Sequence, residues 1–341
     1  MRYLARVFAG ALAFSLGIGH PCVSQANDSM AVFAAGGLQF QPTSELRMTS
    51  EDLYLSPLEV RVSYTFLNLT GHDVSGTVAF PMPEISVAEM SERPHKFHGS
   101  SLEGDIFDFH VEAAGELIKP QADIYAFVKD RKGVEKDVTE VLRKYRVPVI
   151  KPDPTYSTLT TDEMKALVAA GVVDNDEDHH PLWSVRTTFH WQQTFPAGQS
   201  ISITHRYKPI VGGSWIRANI PSDDGRSQEF CFDKTFARSA QALPADDNGM
   251  LGETQLEYIL KTGANWAGPI GTFRLEIAKG SADLVSLCPI PGLKLEWRSQ
   301  SFIAEAKQYT PTTDIKLLFL YRACDKAPCQ SNMPSWPGLP R

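Results

Sequence analysis

Asp174, Asp176, Glu177, Asp178, His179 and His180 form the densest run of potentially reactive groups in this chain. Carboxylates at alternate positions are how a loop offers oxygen ligands to calcium, and adjacent imidazoles can hold a transition metal. Two positions argue against calcium. His179 stands sixth, where the tight turn wants glycine, and Val185 stands twelfth, where a bidentate glutamate belongs. The competing reading is a solvated acidic loop that follows a helix. No H-E-x-x-H helix, G-x-S-x-G elbow, phosphate loop or dinucleotide glycine motif occurs, so the sequence implies no cofactor.

Trp183, Trp191, Trp215, Trp266 and Trp297 could in principle build a platform for a glycan or peptide. Trp191 and Trp297 sit in alternating patterns and read as core. Trp215 and Trp266 lie near glycines in loops, and Trp266 is the better surface candidate for binding, against the commoner case of a loop tryptophan that caps a sheet edge. Four cysteines, Cys231, Cys288, Cys324 and Cys329, remain once Cys22 is assigned to a leader. An even count in an oxidising compartment reads as two disulfides. Cys324 and Cys329 are the natural local pair, which leaves Cys231 with Cys288.

The elements that must position these groups are mostly strands. Val60, Val62, Tyr64 and Phe66 alternate with polar residues, as do Leu256 to Leu260, Phe273 to Ile277 and Leu293 to Trp297. Residues 46–55, 74–80, 106–112, 121–128 and 314–321 read as further strands. Asn68-Leu69-Thr70 has the form of a glycosylation sequon but reads as a turn. Helical spacing recurs from Val134 to Tyr145. Thr160 with Glu163 forms a capping-box pattern ahead of Met164 and Leu167, with Gly171 as C-terminal cap. A third helix is expected from Asp233 through Ala242.

One hairpin can be specified to the residue. Trp183–Phe195 and Ser200–Lys208 alternate on either side of Pro196-Ala197-Gly198, which suits a three-residue loop. That register sets Phe189 opposite His205. It predicts one apolar face with Phe189, Trp191, Ile201, Ile203, His205 and Tyr207. The other face carries His190, Gln192, Thr194, Ser202, Thr204 and Arg206, and a ligand site on this hairpin would use His190, Gln192 and Arg206. His205 falls on the apolar face and reads as a hydrogen-bonded core residue.

The ends and the charge bound the compartment and partners. Arg2 and Arg6, an apolar run from Val7 to Ile18 and Ser24-Gln25-Ala26 have the form of a secretory signal cleaved after Ala26. Losing residues 1–26 takes away two basic residues and no acid, which moves the formal charge from −7 to −9. An acidic chain whose only basic cluster is Lys129 to Lys132 offers no stripe for nucleic acid. No later segment is apolar for long enough to span a membrane as a helix.

Several segments resemble an exported bacterial family known as domain of unknown function 4424. They include NDSMAVFAAGGLQF (27–40), SEDLYLSPLEVRVSYTFLN (50–68), AFPMP (79–83) and FHWQQTFPAGQSISITHRYKPIVG (189–212). FCFD (230–233), YILKTGANWAGPI (258–270) and LVSLCPI (284–290) extend the likeness over nearly the whole mature chain. The resemblance implies secretion and a shared fold, and it brings no activity or catalytic residue.

The sequence therefore predicts a mainly β protein, with one or two antiparallel β-sandwiches and a helical insertion around 130–181. The expected segments are a signal peptide (1–26), β-rich regions (27–129 and 182–329) and a Pro-rich tail (330–341). The expected function is a periplasmic or secreted non-enzymatic module binding a protein, glycan or small ligand. The alternative is a hydrolase of an envelope polymer with a dispersed acidic and histidine site.

Overall fold

The computed structural model describes residues 28–34, 37–92, 105–150, 156–221 and 225–323. The signal segment, Cys324, Cys329 and the Pro-rich tail lie outside the described residues.

Alternation sends one side of each strand inward, and two sheets use it to form a sandwich. The first sheet runs, in order, Glu135–Asp137, Gln121–Lys129, Ser184–Phe195, Val74–Pro81, Ser29–Ala34 and Gly37–Gln41, with Ile85–Ser86 beside Ser184–Phe195. The second runs Glu296–Arg298, Ser301–Tyr309, Ile270–Ala278, Leu46–Leu55, Val60–Asn68, Ser200–Tyr207, His110–Ala113 and Glu116–Ile118. Every pair is antiparallel except Ile270–Ala278 with Leu46–Leu55, which is parallel. Phe80, Phe189, Trp191 and Phe195 of the first sheet meet Phe66, His205 and Tyr207 of the second in a buried aromatic layer.

A third sheet of Gly212–Arg217, Met250–Tyr258, Ile315–Tyr321 and Leu284–Leu287 completes the molecule. Leu256, Tyr258, Leu317, Phe319 and Tyr321 join the main core. Leu251, Leu318 and Leu320 form a separate cluster with Phe230, Phe232 and Ala240, around the helices Gly225–Phe230 and Lys234–Gln241. A strand covered on both faces reads as a continuous apolar run, which explains IKLLFLY at 315–321.

The local helix signals behave as their chemistry dictates. Thr160 accepts from the Glu163 amide, Glu163 reaches back to the Thr160 amide, and Gly171 ends the helix Thr161–Ala170 with φ 71°. Asp233 caps Lys234–Gln241. The helix expected from Val134 is shorter. Asp130 accepts the amides of Lys132 and Val134 around Gly133, folding 135–137 back onto 127–129 as a strand. Asp137 then accepts the Thr139 amide and the helix Thr139–Lys144 begins there. Likewise, Asp105 accepts the amides of Phe107 and Phe109, so the strand expected from 106 starts only at His110.

The predicted hairpin does not form. Phe189 pairs with Phe80 and Ala122 in the first sheet, whereas His205 pairs with Val62 and Val111 in the second. The Pro196–Gln199 turn, closed by Gln199 N–H to Pro196 O at 3.1 Å, carries the chain from one sheet to the other. The inward set is nevertheless the predicted one: Phe189, Trp191, Ile201, Ile203, His205 and Tyr207 are all buried. Alternation dictates which side chains face the core. It does not say whether the two strands meet edge to edge or face to face across a sandwich.

Candidate binding cleft

Splitting the hairpin between sheets also splits its polar face. His190 and Gln192 lie on the outer face of the first sheet and Arg206 on that of the second, so the three do not converge. His190 is buried under the edge-on ring of Phe33, and its Nε2 is 3.3 Å from Asp123 Oδ2. Gln192 donates to Thr77 Oγ1 at 2.7 Å. Arg206 is exposed beside Arg61 and His110.

Trp266, expected at the surface, is 3% exposed. Its ring packs on Phe66 at 4.4 Å and its Nε1 donates to Asp28 O at 2.9 Å. Trp297, expected in the core, is instead 52% exposed, because its three-residue strand is the sheet edge. The acidic loop uses its own carboxylate. Asp174 Oδ1 accepts the amides of Asp176 and His180, and Oδ2 lies 3.4 Å from His180 Nδ1. His179 Nδ1 lies 3.3 Å from Asp174 O. Among the described residues no group of three or more His, Cys, Asp or Glu side chains is arranged to hold a metal ion. The sequon is closed as well: Asn68 is buried and donates to His72 O and Phe195 O.

His205 is wholly buried, with Nε2 2.9 Å from Asp28 Oδ1. Tyr64, Phe80, Phe109 and Trp191 surround the imidazole at 5.0–5.6 Å. Burial pushes the Asp28 carboxyl above its ordinary value, and His205 opposes that. No solvent path reaches either side chain, so the pair organises the core.

Polar groups do converge where the three sheets meet. A cleft of about 740 Å³ opens between the end of the first sheet with the helix Val87–Glu92, the end of Ser200–Tyr207, and the third sheet with the helix Gly225–Phe230. Met82, Phe107, Tyr207, Ile210 and Leu256 give it an apolar floor, and Glu84, Glu89, Arg226, Glu229, Glu257 and Lys316 line its walls. Arg226 Nη2 reaches the buried Glu253 at 2.5 Å. Lys316 Nζ lies 2.8 Å from both Glu229 and Glu257. Partial burial would lower the Lys316 pKa, but hydrogen bonds to the two carboxylates outweigh it and raise it. Glu84 contacts Lys129 and Arg186, which Glu135 shares. None of these wall residues was singled out from sequence. They are spread from 84 to 316 and only the meeting of the sheets gathers them.

A second concavity of about 760 Å³ lies on the second sheet, lined by Ser50, Ser63, Thr65, Ser202, Thr204 and Thr272 among others. Its Arg274 is held by Asp52 and Glu276.

This arrangement defines a three-sheet β protein stapled by one disulfide, Cys231–Cys288, among the described residues, with an acid-lined cleft at the sheet junction. The chain belongs to the family described as domain of unknown function (DUF4424), whose model matches residues 26–318. Among curated proteins no match is found. One similar solved structure is a protein of Legionella pneumophila described as a "putative nutrient binding protein". It is 16% identical, with a TM-score of 0.41 over 82% of this chain and 68% of that one. Among the described residues no helix is long and apolar enough to cross a membrane.

Proposed function

We propose that the chain is an exported, non-enzymatic binding module of the bacterial envelope or medium, and that the three-sheet cleft is its ligand site. The observation that carries this reading is how the cleft's charges are held. Arg226, Lys316, Glu84, Glu229 and Glu257 are each engaged in an ion pair around an apolar floor, and of the wall charges named above only Glu89 is without one among the described residues. Such walls suit recognition, whereas acid–base catalysis wants a group poised to give or take a proton. The Asp28–His205 pair is sealed in the core. Export is supported by the signal-like start and by the disulfide, which belongs to an oxidising compartment.

The test uses the mature protein incubated with a small-molecule extract of its own envelope, then native mass spectrometry of what remains bound. A retained ligand that is lost when Ile210→Trp fills the cleft is the expected result. Release of reducing ends or free amines from envelope polymers by the purified protein would overturn the reading in favour of a hydrolase. N-terminal sequencing of the exported protein should begin at Asn27. A start at Met1 would remove the export argument.

A further inference from the structure

The charges on the cleft walls do not cancel, and the imbalance identifies a ligand class. Glu84 and Glu135 share two cations, Arg186 and Lys129. Arg226 is matched by Glu253. Lys316, in contrast, serves two carboxylates, Glu229 and Glu257, and so leaves one negative charge over. Glu89, exposed on the helix Val87–Glu92, has no ion pair among the described residues and leaves a second. The two excess charges sit on opposite sides of the cleft, one beside the first sheet and one at the third.

Between them lies the apolar floor, and Tyr207 within it is an independent pointer to a ligand. Tyr207 is 2% exposed and lines the cleft, yet its hydroxyl has no hydrogen-bond partner among the described residues. Burial alone raises its pKa, so the hydroxyl is a neutral group able both to donate and to accept. With the rest of the side chain buried, a hydroxyl that faces the cleft and has no partner in the protein offers a place for a polar atom from outside.

We propose that the cleft binds an elongated dication of the polyamine class, two ammonium groups joined by an aliphatic chain. One ammonium is held at Glu89 and the other at the Glu229–Glu257 pair. The alkyl segment lies over Met82, Phe107 and Leu256, and the Tyr207 hydroxyl accepts a hydrogen bond from an ammonium. This inference rests on the cleft being the binding site. A free polyamine and the basic side chains of a peptide share part of this chemistry, and the two uncompensated charges around a short apolar floor favour the small dication.

Calorimetry on the mature protein with 1,4-diaminobutane, 1,5-diaminopentane and n-pentylamine tests it. The diamines should bind, and pentylamine, with one charge fewer, should bind about fivefold or more weakly. Glu89→Gln and Glu257→Gln should each weaken the diamine about fivefold, and together roughly 25-fold if the sites are independent. Tyr207→Phe should weaken it with an unchanged circular dichroism spectrum. Glu305→Gln, on the outer face of the second sheet, should leave affinity as it was. Equal binding of pentylamine, or equal weakening by Glu305→Gln, would mean unspecific attraction to an acidic surface and overturns the proposal. If no amine binds but a neutral or anionic probe does, and Ile210→Trp abolishes that binding, the dication falls while the cleft reading stands. If Ile210→Trp alters the binding of no probe, both fall together.

Discussion

Asp28 and His205 face each other, both wholly buried, in a layer of aromatic rings. A carboxylate there is held by its partner, and removing one member leaves the other buried and uncompensated. Asp28→Ala should therefore destabilise the protein by about 3–5 kcal/mol, the range for breaking a buried pair. Chemical denaturation is the measurement, and a loss under about 1 kcal/mol would show that the contact resembles an exposed ion pair. Trp266 contributes at the same point through its indole N–H on Asp28 O. A loop tryptophan that looked like a surface platform is thus a buttress for the first residues of the first sheet.

Two sheet positions separate backbone from side-chain constraint at the scale of the element. A Cβ at Gly271 would meet Thr49 O at 2.5 Å, where Ile270–Ala278 runs alongside the irregular stretch of Leu46–Leu55 between Met48 and Ser50. A backbone oxygen held in a sheet cannot retreat, so Gly271→Ala should lower stability by about 1–3 kcal/mol, as overpacking does. Gly76→Ala meets only the terminal methyl of Met30, which can swing away, and should have much the smaller effect. Equal shifts in denaturation midpoint for the two would refute the distinction.

The outer face of the first sheet carries a pH dependence of definite sign. Arg186 hydrogen-bonds Glu135 and holds its carboxyl below the ordinary value of 4.5. The stabilisation is therefore complete above pH 4.5 and is lost as pH falls through the lowered value. Glu135→Gln should flatten the fall of Tm with pH below that point and leave the slope above it unchanged. An acid limb as steep as in the native protein would rule out a contribution from this pair.

On the scale of the whole molecule, the disulfide fastens the helical layer to the third sheet. Cys231 follows the helix Gly225–Phe230 and Cys288 follows the strand Leu284–Leu287, with 57 residues of separation. Opening a loop of that length should cost about 4 kcal/mol, from the added freedom of the unfolded chain. The layer beneath it is small, a cluster around Phe230, Phe232 and Ala240 apart from the main core. Cys231→Ser with Cys288→Ser should thus speed hydrogen exchange first across 225–243 and leave the sandwich protected. Uniform acceleration over all three sheets would mean that the layer and the sandwich unfold as one unit.

What the sequence determined by itself was whatever depends on near neighbours along the chain. Alternation placed His205 and Trp191 inward, the capping box placed the start of Thr161–Ala170, and the family segments marked the chain's membership. The Cys231–Cys288 pairing was reached by elimination and stands in the structure. Strand partnership was not legible, because an inward face is equally well buried by an adjacent strand's sheet-mate or by an opposing sheet. Phe189 and His205 took the second course. Trp266 and Trp297 exchanged their expected places for a related reason: burial depends on which sheet edge or turn comes to lie over a residue, and that is a long-range fact. The cleft is the extreme case. Glu89, Tyr207, Glu229 and Lys316 acquire a common purpose only where three sheets end together, and no local periodicity encodes the meeting of three sheets.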